Sequence, residues 1–241
     1  MMWGAIGCFN AARRKRAPTA KSYVQDGLVA LWDGIENAGW GVHDANATVW
    51  KDLIGGYDAT KSGAVLWGDS YADFTPSTTG KFVVGSFLGK PQTFTFEVVV
   101  KRLGTRNGPS SPFSSVEGGG AGFQINRNGT RLFGITGASS GYYQQVVSPY
   151  TGTDKTSYSY VFGPTQYLFR NASLEQTAGG GNVVRYNNSY PFLIGCEAGE
   201  ATWSPMSFNG YVFAVRVYNR SITSAEIAAN YAIDKARFNL P

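Results

Sequence analysis

The stretch that decides the fold lies near the carboxyl end of the chain, where residues 208–231 read FNGYVFAVRVYNRSITSAEIAANY. Residues 211–218 are apolar apart from one arginine, Arg216, which is typical of a buried strand. Thr223 and Glu226 then stand three residues apart, the spacing of a capping box that opens a helix. We therefore predict a strand followed by a helix over about 223–235, with Ile227 and Tyr231 on the face that meets the sheet.

The preceding sequence consists of short apolar or alternating runs separated by turn signals. Residues 28–32 form a continuous apolar run, and in residues 93–100 Phe94, Phe96, Val98 and Val100 alternate with Thr93, Thr95 and Glu97. Asn128-Gly129 between two such runs is a strong hairpin signal. Further strand candidates are 142–147, 157–162, 166–170, 183–186 and 192–195. About a dozen short strands predict an all-β sandwich or barrel in a single domain, residues 23–241.

Composition supports the same fold class. The chain has 241 residues, of which 15% are aromatic, only 15% are charged and 31 are glycine. A charged share near 25% and a glycine share near 7% are usual, so these values favour strands and tight turns and exclude a helical bundle or a coiled coil.

The net charge of +5 is confined to the amino-terminal segment, residues 1–22. Arg13, Arg14, Lys15, Arg16 and Lys21 precede the first acidic residue, Asp26, and the rest of the chain carries 16 basic and 16 acidic residues. We therefore expect no nucleic-acid partner for the globular part. We interpret residues 1–22 as a basic arm that anchors the domain to other subunits, with Arg13–Arg16 at its centre; a solubilising tail is the alternative.

The export and cofactor signals are sparse. The apolar stretch at residues 1–9 precedes the basic run, the reverse of a secretory signal, and no segment predicts a membrane span. Two cysteines, Cys8 and Cys196, exclude a disulfide framework, and a single histidine, His43, excludes a multi-histidine metal site. We expect the protein to fold in the cytosol of its producer, and, if it acts outside a cell, to leave by a route such as lysis or a virion.

The stretch at 208–231 resembles the end of the laminin-G-like jelly rolls of the concanavalin A-like lectin and glucanase superfamily. Phe208, Gly210, residues 215–220 and Glu226-Ile227 match that pattern, and residues 26–32, 50–58, 93–101 and 191–195 follow in the family's order. The resemblance implies a jelly-roll β-sandwich with a terminal helix over roughly 26–235. One departure is Asn171-Ala172, where the family usually has Asp-Gly.

Two kinds of site that the resemblance raises find little support in the residues. Retaining glucanases of the superfamily carry E-x-D-x-x-E on one strand, and none of the seven glutamates makes that pattern, so we expect no enzyme. Some relatives hold calcium, and Asp44-Ala-Asn46-Ala-Thr48 offers oxygens at alternate positions, near Asp33, Asp52 and Asp58. Turn and cap chemistry is the favoured interpretation of these residues, with calcium left open as a cofactor.

Loop aromatic residues are the remaining candidates for a ligand site. Sugars stack their C–H faces on tryptophan and tyrosine, and neighbouring polar groups hold the hydroxyls. The predicted ligand-binding residues are Trp40, His43, Asp44, Tyr142, Tyr143 and Trp203. The competing interpretation of the loop tryptophans is a packing lid, whereas Trp32 and Trp50 lie in apolar runs and are predicted to be core.

These observations favour a non-enzymatic structural or binding module. The preferred setting is a bacteriophage virion appendage or decoration protein, bound to other virion subunits through residues 1–22 and facing a host glycan. A bacterial surface or secreted carbohydrate-binding protein is the second hypothesis, which would place the protein outside the cell or at its surface. A glycoside hydrolase with an unrecognised site is the third.

Overall fold

The computed structural model describes residues 18–85, 91–106, 109–116, 119–126, 128–137, 143–149, 152–179, 184–186, 190–197 and 207–241. The strands in chain order are β1 Leu28–Asp33, β2 Val49–Trp50, β3 Ala59–Ser62, β4 Leu66–Gly68, β5 Tyr71–Asp73, β6 Lys81–Gly85, β7 Phe94–Arg102, β8 Phe113–Ser114, β9 Ala121–Ile125, β10 Arg131–Gly137, β11 Tyr143–Pro149, β12 Thr156–Phe162, β13 Thr165–Arg170, β14 Ser173–Gly179, β15 Phe192–Ile194 and β16 Gly210–Tyr218. A short 3₁₀ turn, Ala20–Ser22, precedes them, and one helix, α1, spans Ser224–Phe238.

The strands form two antiparallel sheets that face each other. The first sheet has the order β14-β13-β12-β7-β16-β5-β4, with β1 also paired to β16. The second has the order β11-β10-β9-β8-β15-β6-β3-β2. This arrangement confirms the predicted all-β sandwich with one carboxyl-terminal helix.

The core fills the space between the sheets with aromatic side chains. Phe94, Phe96, Val98 and Val100 of β7 all point inward, as the alternation predicted. Trp32 and Trp50 are fully buried in the same cluster, which confirms them as core residues. Aromatic side chains supply most of the volume that two sheets about 10 Å apart must enclose.

The outer face of the first sheet is also buried, which the alternation did not indicate. Thr95, Glu97 and Val99 of β7 are at most 1% exposed. The helix and the segment that follows it cover this face; the residues of α1 that it buries are Ile227, Asn230, Asp234 and Phe238. The predicted face is confirmed: Ile227 is buried, and the half-buried Tyr231 packs against the cluster that includes Val99 and Phe213 of the sheet.

The start of the helix agrees with the sequence. Thr223 accepts a hydrogen bond from the Glu226 amide, and the Glu226 carboxylate accepts one from the Thr223 amide. This reciprocal pair is the capping box that the spacing predicted.

A buried layer of charged and polar groups joins the helix to the sheet. Arg216 of β16 donates to Glu97 of β7 at 2.8 Å and to both oxygens of Asp234 on α1 at 2.7 Å. Asn230 donates to Glu97 as well, and the Tyr23 hydroxyl donates to Asp234. We name this set the Arg216 layer. Burial lowers the pKa of Arg216, but the charges of Asp234 and Glu97 outweigh that effect and leave the pKa raised.

Two turns show how the hairpins form. In the turn between β9 and β10, Gly129 has a φ of +67°, as the Asn-Gly signal predicted. Between β13 and β14, Asn171 and Ala172 have φ of +49° and +61°, the left-handed pair of a type I′ turn. The hairpin thus survives the departure from Asp-Gly, with alanine in a conformation that favours glycine.

Some strand predictions differ from the structure. β14 was not predicted, because its residues are mostly polar and exposed. In the candidate strand 183–186, Val183 lies outside the described residues, and the described part contributes only an isolated bridge position, Val184.

Residues 18–22, assigned to the arm from the sequence, lie against the domain. Ala20 is fully buried beside Tyr23 and Leu31, and Arg237 donates to the Pro18 carbonyl at 3.3 Å. The rest of the predicted arm, including Arg13–Arg16, lies outside the described residues. In the part of the chain that the structure describes, no helix is long and apolar enough to cross a membrane.

Candidate ligand-binding site

The turn that carries Trp40 is built by its two glycines. Val42 and Ala38 form backbone hydrogen bonds across it, to Gly39 and Val42 respectively. Gly39 and Gly41 have φ of +130° and +72°, values that side-chain-bearing residues rarely adopt. Trp40 therefore stands at the tip of a tight turn and is 40% exposed.

Polar side chains hold the base of this loop in place. The buried Asn37 amide donates to the Asp44 carbonyl and accepts from the Asp44 amide, both at 2.8 Å. Asp44 in turn accepts from the Asn46 amide, and a ring nitrogen of His43 lies 3.1 Å from the Gly34 carbonyl oxygen. The exposed tip is thus presented by a fixed loop.

A cleft opens between the Trp40 turn and residues 18–22. Its volume is about 510 Å³, and it is lined by Pro18, Thr19, Lys21, Ser22, Glu36, Trp40 and Gly41. We name it the Trp40 cleft. The Lys21 ammonium lies 4.9 Å from the centroid of the Trp40 ring, a cation–π distance. The ammonium group therefore lies over one face of the exposed indole.

The floor of the cleft consists of charged side chains, in which Arg237 offsets the charges of two carboxylates. Glu36 accepts from the Gly41 amide at 3.0 Å and from Arg237 at 3.2 Å, and Arg237 also donates to Asp33 at 2.7 Å. Burial raises the pKa of Asp33, and the Arg237 charge offsets this only in part. These contacts direct Glu36 and Asp33 toward the protein and fix the Trp40 turn to the end of the helix.

The acidic residues considered for calcium serve the backbone instead. Asp52 accepts from four amides, those of Leu31, Ile54, Gly55 and Tyr57. Asp33 caps the turn after β1, and Asp58 accepts from the Asp52 amide. Within the described ranges, no group of three or more His, Cys, Asp or Glu residues is arranged to hold a metal ion. The turn and cap interpretation describes these contacts.

Two of the glutamates, Glu97 and Glu197, are buried. Glu97 accepts from Ser159, Arg216 and Asn230 inside the Arg216 layer. Glu197 is 5% exposed and accepts from Gln124 at 2.7 Å. Both carboxylates thus have structural partners.

The structure brings together only part of the predicted ligand site. Trp40, His43 and Asp44 share one loop, and all three are exposed. Tyr142, Trp203 and the side chain of Tyr143 lie outside the described residues. Sequence reasoning missed Lys21 and Glu36, because no local pattern links either residue to Trp40.

The backbone of Tyr143 lies at the other end of the sandwich from Trp40. Asp33 precedes the Trp40 loop and pairs with Ala214 of β16. Ala214 in turn pairs with Val99, near the end of β7. Tyr143 pairs with Gly137, which is bonded to the loop at 184–186. Gln92, just before β7 begins, binds that loop. Trp40 and Tyr143 would therefore serve separate surfaces.

The two antiparallel sheets and the carboxyl-terminal helix define a jelly-roll β-sandwich. Residues 68–228, which are 161 of the 241 residues, match a laminin G family. That family is described as the concanavalin A-like lectin/glucanases superfamily. The chain belongs to this family. No curated protein matched the sequence.

Solved structures support the fold at low sequence identity. The sialidase of Trypanosoma rangeli in complex with sialic acid is similar with a TM-score of 0.59 and 20% identity, over 91% of this chain and 34% of that one. A botulinum neurotoxin serotype D binding domain is similar with a TM-score of 0.63 and 12% identity, over 86% of this chain and 52% of that one. The chain thus spans about a third to a half of these proteins, and at these identities the likeness concerns the fold alone.

Proposed function

We propose that the protein is a non-enzymatic carbohydrate-binding module whose ligand stacks on Trp40. The observation that carries this proposal is the exposed indole at the tip of a glycine-built turn, in a lectin-type fold. An exposed aromatic side chain on a fixed loop offers a flat apolar face at low conformational cost, which suits the C–H face of a sugar ring.

The packing-lid interpretation of Trp40 is the direct competitor. A lid would bury its ring against the core, as Trp32, Trp50 and the partly buried Trp67 do. Those three indoles donate to backbone carbonyls of Tyr57, Asp33 and Ala47 respectively. Trp40 instead has the Lys21 ammonium over its ring and keeps 40% of its surface exposed, which favours a ligand platform.

The non-enzymatic part of the proposal rests on the surroundings of the carboxylates. Glu97 and Asp234 share Arg216, while Asp33 and Glu36 share Arg237. A glycosidase needs two carboxyl groups that face the same sugar, about 5–9 Å apart. A hydrolase remains the second candidate function because the family includes glucanases; release of reducing ends that is lost in Glu197→Gln would establish it.

The proposed setting is a virion, where the domain would be an appendage or decoration protein held by other subunits through residues 1–22. The concentration of net charge in that segment supports an anchoring role. A bacterial surface or secreted protein is the alternative setting. Removing residues 1–17 tests the anchor, because residues 18–22 belong to the packed domain. The truncated protein should keep its melting temperature but should no longer co-sediment with virion particles.

A glycan array tests the binding function. Wild-type protein, Trp40→Ala and Leu66→Ala should be compared, since Leu66 is an exposed apolar residue, 58% accessible, on β4. We expect binding by wild type and Leu66→Ala, and a loss on the order of fivefold to tenfold in Trp40→Ala. Equal binding by all three proteins would place the site elsewhere, and Trp203→Ala would then be the next variant.

A further inference from the structure

The hairpin between β9 and β10 carries an Asn-Gly pair, Asn128-Gly129, that the Trp40 cleft does not use. Asn128 is exposed, and the Gly129 amide donates to the Asn126 carbonyl at 2.8 Å. A glycine has no side chain to keep its own amide nitrogen away from the side chain of the preceding residue. The side-chain carbonyl carbon of Asn128 is therefore within chemical reach of the Gly129 nitrogen once that hydrogen bond opens.

The fold requires a glycine at the second position of this pair. Gly129 has a φ of +67°, in the left-handed region. A Cβ atom at this position would also lie too close to the Thr105 side chain and to the guanidinium of Arg102, which donates to the Gly129 carbonyl. The Asn-Gly pair is thus a fixed chemical feature of the hairpin.

A hydroxyl group lies on the side-chain oxygen of Asn128. Thr130 Oγ1 donates to Asn128 Oδ1 at 2.9 Å, and it accepts from the Asn126 side-chain amide at 3.2 Å. The Thr130 amide donates to Asn126 Oδ1 at 2.9 Å, so Asn126 holds Thr130 in place. When a nucleophile attacks the side-chain carbonyl carbon of Asn128, its oxygen gains negative charge, and a fixed donor stabilises that charge.

We infer that Asn128 is a modification site, where the folded protein deamidates through a cyclic imide. The Gly129 amide nitrogen loses its proton to a base in the solvent and attacks Cγ of Asn128. The new N–Cγ bond forms, the Cγ–Nδ2 bond breaks, and the leaving nitrogen takes up a proton and departs as ammonia. Water then opens the imide at either carbonyl, which leaves aspartate or isoaspartate at position 128.

The products change the hairpin in two ways. Each adds one carboxylate, which lowers the net charge of the chain from +5 by one. Isoaspartate also carries the main chain through its β carbon, which adds one atom to a turn whose ends are fixed by the pairing of β9 with β10. Deamidation at Asn128 is independent of the proposed glycan-binding function.

A second Asn-Gly pair, Asn209-Gly210, lies in an environment that opposes the same reaction. Gly210 is buried at the start of β16 and pairs with Arg102 of β7. The Asn209 carbonyl accepts from the Leu103 amide at 2.9 Å. The reaction here requires the start of a central strand to open, and such openings cost more than those of an exposed turn. We therefore expect Asn209 to react far more slowly than Asn128.

Peptide mapping of the full-length folded protein, incubated in mildly alkaline buffer, tests this assignment. Mass spectrometry follows the deamidated fraction at Asn128 and at Asn209, and an isoaspartyl methyltransferase assay detects isoaspartate. We expect conversion at Asn128 to both products, and a rate at Asn209 that is lower by at least about tenfold. In urea the two rates should become similar. A third Asn-Gly pair, residues 107–108, lies outside the described residues.

Two variants of Thr130 test the role of its hydroxyl. Thr130→Val removes the donor to Asn128 and should slow deamidation roughly twofold to tenfold, the equivalent of one net hydrogen bond. Thr130→Ser keeps the hydroxyl and should retain the wild-type rate. The rate at Asn209 should be unchanged in both variants, which checks that they remain folded.

Three results would overturn the assignment. Equal rates at Asn128 and Asn209 in the folded protein would mean that the hairpin does not favour the reaction. Conversion at Asn128 in urea alone would mean that the folded turn prevents it. Aspartate without isoaspartate would exclude the cyclic imide, since direct hydrolysis gives aspartate only. A rate in Thr130→Val at or above that of wild type would remove the hydroxyl from the mechanism.

Discussion

Two regions of this protein place charged side chains next to aromatic rings, and they use them in opposite ways. In the Arg216 layer, Arg216 stacks on Tyr23 at 4.2 Å and is 1% exposed, with both of its carboxylate partners buried. In the Trp40 cleft, Lys21 lies over an exposed indole without a carboxylate partner among the described residues. Saturated hydrogen bonding marks a structural element, whereas an exposed, unpaired arrangement marks a surface available to a ligand.

The largest effect expected concerns stability and the Arg216 layer. Arg216→Met leaves Glu97 and Asp234 buried without their cation, which typically costs about 3–5 kcal/mol. Urea denaturation should show this loss. Arg170→Met, which breaks the exposed pair with Glu175, should cost less than about 1 kcal/mol. Similar losses for the two variants would mean that the layer does not hold the helix.

This layer also shows what the sequence could reveal and what it could not. The strands of the core and the capping box follow local patterns, and they were predicted. The burial of Asn230 and Asp234 on the helix was not predicted, because these polar residues are buried only through partners, Glu97 and Arg216, on distant strands.

The candidate site was also predictable only where a local pattern marks it. Flanking glycines indicated an exposed turn at Trp40. Lys21 and Glu36 come from separate segments that tertiary packing brings to the indole, so no local pattern could identify them.

Acid should lower the stability that the Glu226 carboxylate contributes at the start of the helix. Hydrogen bonds from Arg220 and from the Thr223 backbone lower the pKa of Glu226 from 4.5 to about 2. Because the pKa is depressed, the ionised carboxylate stabilises the fold above about pH 4.5, and this contribution is lost as pH falls through 2. Wild-type stability should therefore fall more steeply over this range than that of Glu226→Gln. Parallel curves would remove Glu226 as the cause.

The two-residue turns offer a smaller test. At the Trp40 turn glycine takes the left-handed position, whereas Ala172 takes it between β13 and β14. Ala172→Gly should relieve that strain and raise stability by about 0.5–1 kcal/mol. Ala178→Gly, in the body of β14, should lower stability, since glycine weakens a strand interior. A loss of stability in both variants would mean that the alanine methyl contributes more by packing than it costs in strain.

The smallest expected effect on stability comes from removing the Trp40 indole. Trp40→Ala should change the free energy of unfolding by less than about 0.5 kcal/mol, because the ring is exposed and away from the core. Thermal melting checks this. A loss of several kcal/mol would return Trp40 to the role of a packing lid.

The most direct test of the account pairs binding with stability in the same proteins. Dissociation constants for the glycan selected on the array and melting temperatures should be measured for wild type, Trp40→Ala and Thr223→Ala, which removes the helix cap. The account predicts that Trp40→Ala loses affinity and keeps its melting temperature, and that Thr223→Ala does the reverse, losing about 1 kcal/mol of stability. If Trp40→Ala binds as well as wild type does, or loses binding only because it unfolds, the Trp40 cleft is not the ligand site.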